Sequence, residues 1–215
     1  MREAGEATRE RILVAAKKEF ADRGLAGARI NRIAADANAS KERLYAYFPS
    51  KESLFVAVTE QLVADVAEDT ELRGDDIPGY VGRLFDNYVR NPENARLHDW
   101  LGFSTAGTDG AEVVALKAKL DEIRRGQQAG HIDTSWEPAQ LLIMLTEMTK
   151  SLACPRETAL KLLNTNRRNN TRAARRAAAI DAARRLITRS NPPPTTRPTS
   201  GRPSAKGRAT SSTIR

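Results

Sequence analysis

The sequence predicts an all-α protein in three parts, on three observations. Apolar residues recur at helical spacing from Ile12 to Ile187, and no stretch alternates as a half-buried strand would. Residues 29–48, RINRIAADANASKERLYAYF, read as two short helices joined by a tight turn. After about Thr188 the composition changes: residues 190–215 hold five Pro, five basic residues and no acid. Such a segment buries too little apolar surface to offset the entropy of ordering it. The expected parts are an N-terminal three-helix domain (6–66), a C-terminal helical domain (67–188) and a disordered, basic, Pro-rich tail (189–215).

Taken in order, Thr8 is placed to cap a first helix, with Glu10 in its first turn complementing the dipole. Ile12 or Leu13, Ala16 and Phe20 make its buried face, and Gly24 ends it. Ile30, Ile33, Ala34 and Ala37 form one stripe on a second, short helix. Asn38 follows where a left-handed residue is needed, and Ser40 caps a third helix whose Leu44 and Phe48 face the core. A longer helix runs from Lys51 to about Asp69 with Leu54, Val58, Leu62 and Val66 four apart, before a polar break at 70–78.

Downstream, Tyr80–Arg90 carries Val81, Leu84, Phe85 and Tyr88, and Pro92 opens a helix with Leu97, Trp100, Leu101 and Phe103. Val113, Leu116, Leu120 and Ile123 repeat along a helix that fades at Gly126 or Gly130. Thr134 or Ser135 caps the next, with Leu141, Leu142, Leu145, Met148 and Leu152 inside it and Pro155 ending it. A short turn of helix around Ala159–Leu163 precedes Thr171–Ile187, where Ala173, Ala177, Ile180 and Ile187 are the apolar side.

The third helix carries the chemistry. Lys41, Glu42 and Arg43 lie on its first turn; they are either solvated surface or base-edge readers, since Arg and Lys suit guanine and Glu suits cytosine. Tyr45 and Tyr47 are core aromatics or DNA contacts. Their i, i+2 spacing keeps them off one shared face, and Leu44 with Phe48 already fills the core role. Two short helices with a tight turn, the second tipped with such side chains, fit a major groove.

Charge agrees with that use. Residues 167–215 hold 13 Lys+Arg and one acid, while residues 51–150 hold 10 basic and 18 acidic residues. Basic charge is thus concentrated at the two ends. Other classes lose support. No run approaches the roughly 18 apolar residues of a membrane span. The charged N-terminus has no signal-peptide core, and a single Cys (Cys154) suits a reducing compartment, so a cytoplasmic protein is expected. His98 and His131 have no ligand-spaced partners, and GxSxG, P-loop and GxGxxG are all missing. No catalytic site, metal or cofactor is expected.

Ser40-x-x-x-Leu44-Tyr45-x-Tyr47-Phe48-x-x-Lys51-Glu52-x-Leu54, preceded by Phe20-Ala21-x-Arg23-Gly24 and Ile33-Ala34, closely resembles the N-terminal domain of TetR-family transcriptional regulators, without a gap from about Thr8 to Leu54. Two departures stand out. The family usually has Thr or Ser near Ala28 and Arg29, where a hydroxyl caps the second helix and touches phosphate; here Arg29 is left to meet phosphate as a cation. The family's turn Gly is Asn38. The resemblance implies Lys51 as a phosphate contact, with Ser40, Tyr47 and Arg29, and adds Asn31 to Lys41, Glu42, Arg43 and Tyr45 as a base reader.

It further implies a homodimeric repressor that binds a near-palindromic double-stranded operator and leaves it when a small molecule enters the C-terminal domain. One short helix buries too little surface to bind tightly alone, so two half-sites are needed. The family's last long helices form a four-helix interface, which points to Leu141, Leu145, Met148, Leu152 and Ile180. For the effector pocket the candidates are Phe85, Tyr88, Trp100, Phe103 and Met144, with Asn87 or His98 to orient the ligand; the same aromatics also suit an ordinary helical core. The alternative is a nucleoid or architectural protein dominated by its tail. There Ser200-Gly201-Arg202-Pro203 holds the Gly-Arg-Pro core of AT-hook peptides, or else is plain solvated linker.

Overall fold

The computed structural model describes residues 2–101, 111–163 and 171–188, so Phe103 and the 189–215 tail lie outside the described residues. The described chain is helical throughout, with no strand: α1 (Arg2–Gly27), α2 (Ile30–Asp36), α3 (Lys41–Tyr47), α4 (Lys51–Asp69), α5 (Ile77–Arg90), α6 (Pro92–Leu101), α7 (Ala111–Gln128), α8 (Pro138–Ala153), α9 (Glu157–Leu163) and α10 (Arg172–Ile187).

Helix α1 starts at Arg2 rather than at a Thr8 cap. The upstream Glu3, Ala4, Glu6 and Ala7 are good helix formers and extend it, leaving Thr8 buried in the helix with its hydroxyl accepting from Arg11 Nη2 at 3.1 Å. Gly24 interrupts the helical backbone at φ 65°, ψ 177°, a region essentially reserved for glycine. A Cβ there would also lie 2.9 Å from the Trp100 ring. Helix α4 opens with a reciprocal cap: Ser50 Oγ accepts from the Ser53 N–H, and Ser53 Oγ from the Ser50 N–H, each at 3.0 Å.

Helix α8 is capped by Glu137, not by Thr134 or Ser135. Pro138 takes the first helical position, so its predecessor must be the cap, and the Glu137 carboxylate accepts from Ala139 and Gln140 N–H at 2.7 and 3.0 Å. Helix α10 is phased differently from its expected stripe: Ala179 and Ala183 are buried, whereas Ala173 and Ala177 are exposed. A run so rich in Ala carries little phase information. The phase follows instead from close packing on Gly82 of α5 and the Arg176–Asp86 ion pair at 2.9 Å.

Two apolar clusters result. The first joins α1–α4 around Phe20 and Phe55, whose rings meet edge to face at 5.1 Å and 85°, with Ile12, Ile33 and Leu44 fully buried. The second joins α5, α7, α8 and α10 around Tyr80, Leu84, Phe85, Ile123, Leu141 and Leu145. Leu141 and Leu145 are completely buried within the chain itself. They therefore cannot offer surface to a second copy, and both leave the expected interface set. Met148, Leu152 and Ile180 are half-buried at the edge of this cluster, and the exposed apolar residues of α8 are Ile143 (61 %) and Met144 (41 %).

Candidate nucleic-acid interface and effector cavity

The α2–α3 unit is braced from below by charged side chains. Arg29 has extended backbone and no side-chain cap of its own; its N–H donates to Glu19 Oε1 at 3.2 Å. Glu19 is only 4 % exposed and also pairs with Arg23 and Arg32, both at 3.4 Å. The missing Thr cap is thus replaced by a carboxylate from α1. Sequence reasoning passed over Glu19, although an acid three residues after Ala16 falls on the buried stripe of that helix and calls for a partner. Arg11, also passed over, donates from Nε to the Ala37 carbonyl at 3.1 Å and holds the end of α2. Asn38 adopts φ 49°, as the turn required.

Ser40 caps α3, its Oγ accepting from the Arg43 N–H at 3.1 Å. Glu42 folds onto the same helix end: its own backbone N–H, then the Ser40 hydroxyl, hold its carboxyl below the usual range. Lys41, Glu42, Arg43 and Tyr45 all lie exposed, with Lys41 Nζ 5.9 Å from the Tyr45 ring centroid. Beside them a shallow basic depression gathers Arg23, Arg29, Asn31, Arg32 and Lys41 from both helices and the end of α1. Tyr47 is half-buried next to Phe48, and its hydroxyl approaches Gly5 of α1. Lys51 reaches the carbonyls of Ala26 and Ala28 at 3.3 and 3.4 Å, leaving one ammonium hydrogen uncommitted.

A cavity of about 110 Å³ lies where five helices converge. Its wall is mostly apolar, from Leu62 and Val66 of α4, Tyr80, Leu84 and Tyr88 of α5, Leu116 of α7 and Leu142 of α8; the polar lining is Asn94, His98, Lys119 and Thr146. Of the expected pocket residues, Tyr88 and His98 line it. Phe85 is fully buried in the second cluster, and Asn87 is buried behind the wall, bonded to Asp69 and Asn94. Met144 is exposed on α8. Trp100 does not line the cavity: it packs on Gly24 and donates from Nε1 to the Ala21 carbonyl at 3.2 Å, satisfying the last turn before the break in α1. Phe103 is outside the described residues.

His98 meets Lys150 Nζ at 3.4 Å and Glu147 at 3.6 Å. Burial, then the Lys150 charge, push its pKa down, while Glu147 and Asp99 oppose the shift. Burial also pushes the Tyr88 phenol up, so it stays protonated. Among the described residues no cluster of His, Cys, Asp and Glu could hold a metal, and no helix is long and apolar enough to cross a membrane.

Comparison with known proteins joins the two regions. A family profile described as "Bacterial regulatory proteins, tetR family" matches residues 12–58, and one described as "Tetracyclin repressor-like, C-terminal domain" matches residues 76–185. The chain is similar to the HTH-type transcriptional repressor SCO4008 of Streptomyces coelicolor, 40 % identical over 147 residues, 66 % of this chain and 77 % of that protein. It is 38 % identical over 93 residues to the HTH-type transcriptional repressor NicS of Pseudomonas putida, 40 % of this chain and 44 % of that one. The crystal structure of SCO4942 from Streptomyces coelicolor, described as a transcriptional regulator, superposes with a TM-score of 0.75 at 38 % identity, covering 85 % of this chain and 99 % of that chain. The architectural alternative finds no support among these relatives, which are described as transcriptional repressors or regulators. This chain belongs to the tetR family of bacterial regulatory proteins and is a DNA-binding transcriptional regulator.

Proposed function

We propose that the protein is a homodimeric repressor whose two α3 helices read the halves of a near-palindromic operator, and that a small molecule entering the α4–α8 cavity releases it. The observation that carries this reading is that two helices belong to both regions at once. Leu54, Phe55, Val58 and Leu62 of α4 pack in the head, while Leu62, Val63, Val66 and Ala67 line the cavity. On α6, Leu97 is buried in the head cluster and its neighbour His98 lines the cavity. The same helix is pinned to α1 by Trp100 and by the Arg96–Asp22 pair at 3.3 Å. A ligand that prefers one arrangement of α4 and α6 therefore biases the spacing of the reading helices, which is what regulation requires.

In this reading Asn31, Lys41, Glu42, Arg43 and Tyr45 face bases, and Arg29, Ser40, Tyr47 and Lys51 face phosphates. Arg23 joins them from the basic depression. The Ser40 Oγ that accepts from the Arg43 N–H keeps its own hydrogen for a phosphate, and Glu42 beside it accepts from a base. The second copy docks on α8 and α10 through Met144, Met148, Leu152 and Ile180. Selection of genomic fragments by the full-length protein should yield one near-palindromic site, with half-sites spaced by a whole helical turn. A compound collection should then contain molecules that raise the melting temperature and lower operator affinity. Enrichment without a consensus sequence would end the operator reading; a consensus that no compound releases would end the effector reading.

A further inference from the structure

A residue of the cavity wall carries a buried polar atom that the chain itself does not satisfy. Asn94 is 2 % exposed and its Oδ1 is buried without a donor, although the residue lines the cavity. The orientation of that amide follows from a relay. The Asp69 carboxylate can only accept, so Asn87 must present its Nδ2 to Asp69 Oδ2, at 3.0 Å, and its Oδ1 to Asn94. Asn94 must then donate from Nδ2 to Asn87 Oδ1, also at 3.0 Å, and its Oδ1 is left over. Turning either amide round would set two acceptors against each other. A buried acceptor with no partner forfeits its solvation without recovering a bond.

Two neighbours narrow what can fill this place. The Lys119 ammonium stands in the same wall, 5.3 Å from the Tyr80 ring centroid, and disfavours a cationic guest. His98 also lines the wall, and the Lys150 ammonium at its Nδ1, which can only donate, favours the tautomer with the proton on Nε2. The remaining wall is apolar. We propose that the effector is a small, largely apolar, non-cationic molecule carrying an N–H or O–H donor, which Asn94 Oδ1 accepts once the wall yields to it. This rests on the effector-cavity reading above. It also gives the ligand a route to the head, because the relay ends on Asp69, the last residue of α4.

Indole and benzofuran test it, being nearly the same shape with and without a donor. Titrated into the full-length protein by calorimetry, indole should bind about tenfold more tightly or better. Asn94→Leu should bring the two affinities together; the wild-type comparison stands on its own if that variant folds poorly. Equal affinities for the wild type, or binding of neither compound at millimolar concentration, would overturn the proposal. Operator release caused only by cations or by donor-free molecules would also overturn it while leaving the repressor reading intact. Release by no compound at all would remove the reading on which it rests.

Discussion

The head and the body handle buried polarity in opposite ways. In the head the buried charge among the described residues is answered: Glu19 meets two guanidinium groups and a backbone N–H, while Arg11 closes the Ala37 carbonyl from the surface and Lys51 takes the carbonyls of Ala26 in α1 and Ala28 just beyond it. In the body a polar relay stops one bond short at Asn94, beside a cavity. The difference suits the tasks proposed for them. A reading surface has to be rigid before it meets DNA, whereas an effector site has to leave something for the effector to complete.

The largest expected effects separate two adjacent residues of the body. Leu145 is wholly buried and Met144 is exposed. Leu145→Asp puts an unpaired charge into the second cluster and should cost about 4 kcal/mol or more, enough to unfold the body. Met144→Asp should leave the melting temperature near that of the wild type, give monomers by light scattering and abolish tight operator binding. A folded, dimeric Met144→Asp protein with full operator affinity would move the interface elsewhere.

Next comes the joint between the regions. Gly24→Ala forces a side chain into glycine-only backbone and against the Trp100 ring, at an expected cost of about 3 kcal/mol in urea unfolding. The backbone strain alone predicts a loss of stability. Displacement of Trp100 predicts in addition that Gly24→Ala and Trp100→Ala are not additive. Additive losses would mean that the ring is not what Gly24 accommodates.

Smaller effects test the head itself. Arg43→Ala or Lys41→Ala should alter base preference by about 1–3 kcal/mol at one position of each half-site. Tyr47→Phe and Lys51→Ala should weaken operator and random DNA alike. Lys51→Ala should also lower the melting temperature slightly, because its ammonium ties Ala26 and Ala28 to α4. If the two groups of variants gave the same selection profile, the division between base and phosphate contacts would fail.

How much of this was legible in the sequence follows the same contrast. The α2–α3 unit was readable because its determinants are contiguous: Ile33 and Ala34, Asn38 at the turn, Ser40 at the cap, Leu44 and Phe48 inward. Cap and turn chemistry act over three or four residues, and short-range rules find them. Glu19 was missed because, beside the local Arg23, its partners Arg29 and Arg32 lie across a kink and a turn. The cavity is harder still, being assembled from five helices whose relative phases depend on packing. Aromatic content pointed to Phe85 and Trp100, but a large ring in a helical core finds other surfaces to cover; Trp100 caps α1 and Phe85 fills the second cluster. Asn94 carried no local signal, since an Asn after a helix-opening Pro looks like ordinary first-turn polarity.

The smallest expected effect lies at His98, and it sharpens the view of the body as the incompletely satisfied half. The folded state lowers the His98 pKa from 6.5, because burial and the nearby Lys150 charge disfavour the imidazolium more than Glu147 and Asp99 favour it. The unfolded chain therefore binds the proton more readily. Stability should be unaffected by His98 well above pH 6.5 and should fall as the pH drops through 6.5 toward the lower folded pKa. Its side chain is 41 % exposed, so solvent screening keeps the change small. Urea midpoints for wild type and His98→Gln, compared from roughly pH 7.5 to 5.5, isolate this contribution from the carboxylates that titrate lower. The wild type should lose more stability across that range than the variant does. Parallel curves, or a wild type that gains stability on acidification, would mean that Glu147 rather than Lys150 governs the imidazole, and the proton assigned to Nε2 would have to be reconsidered.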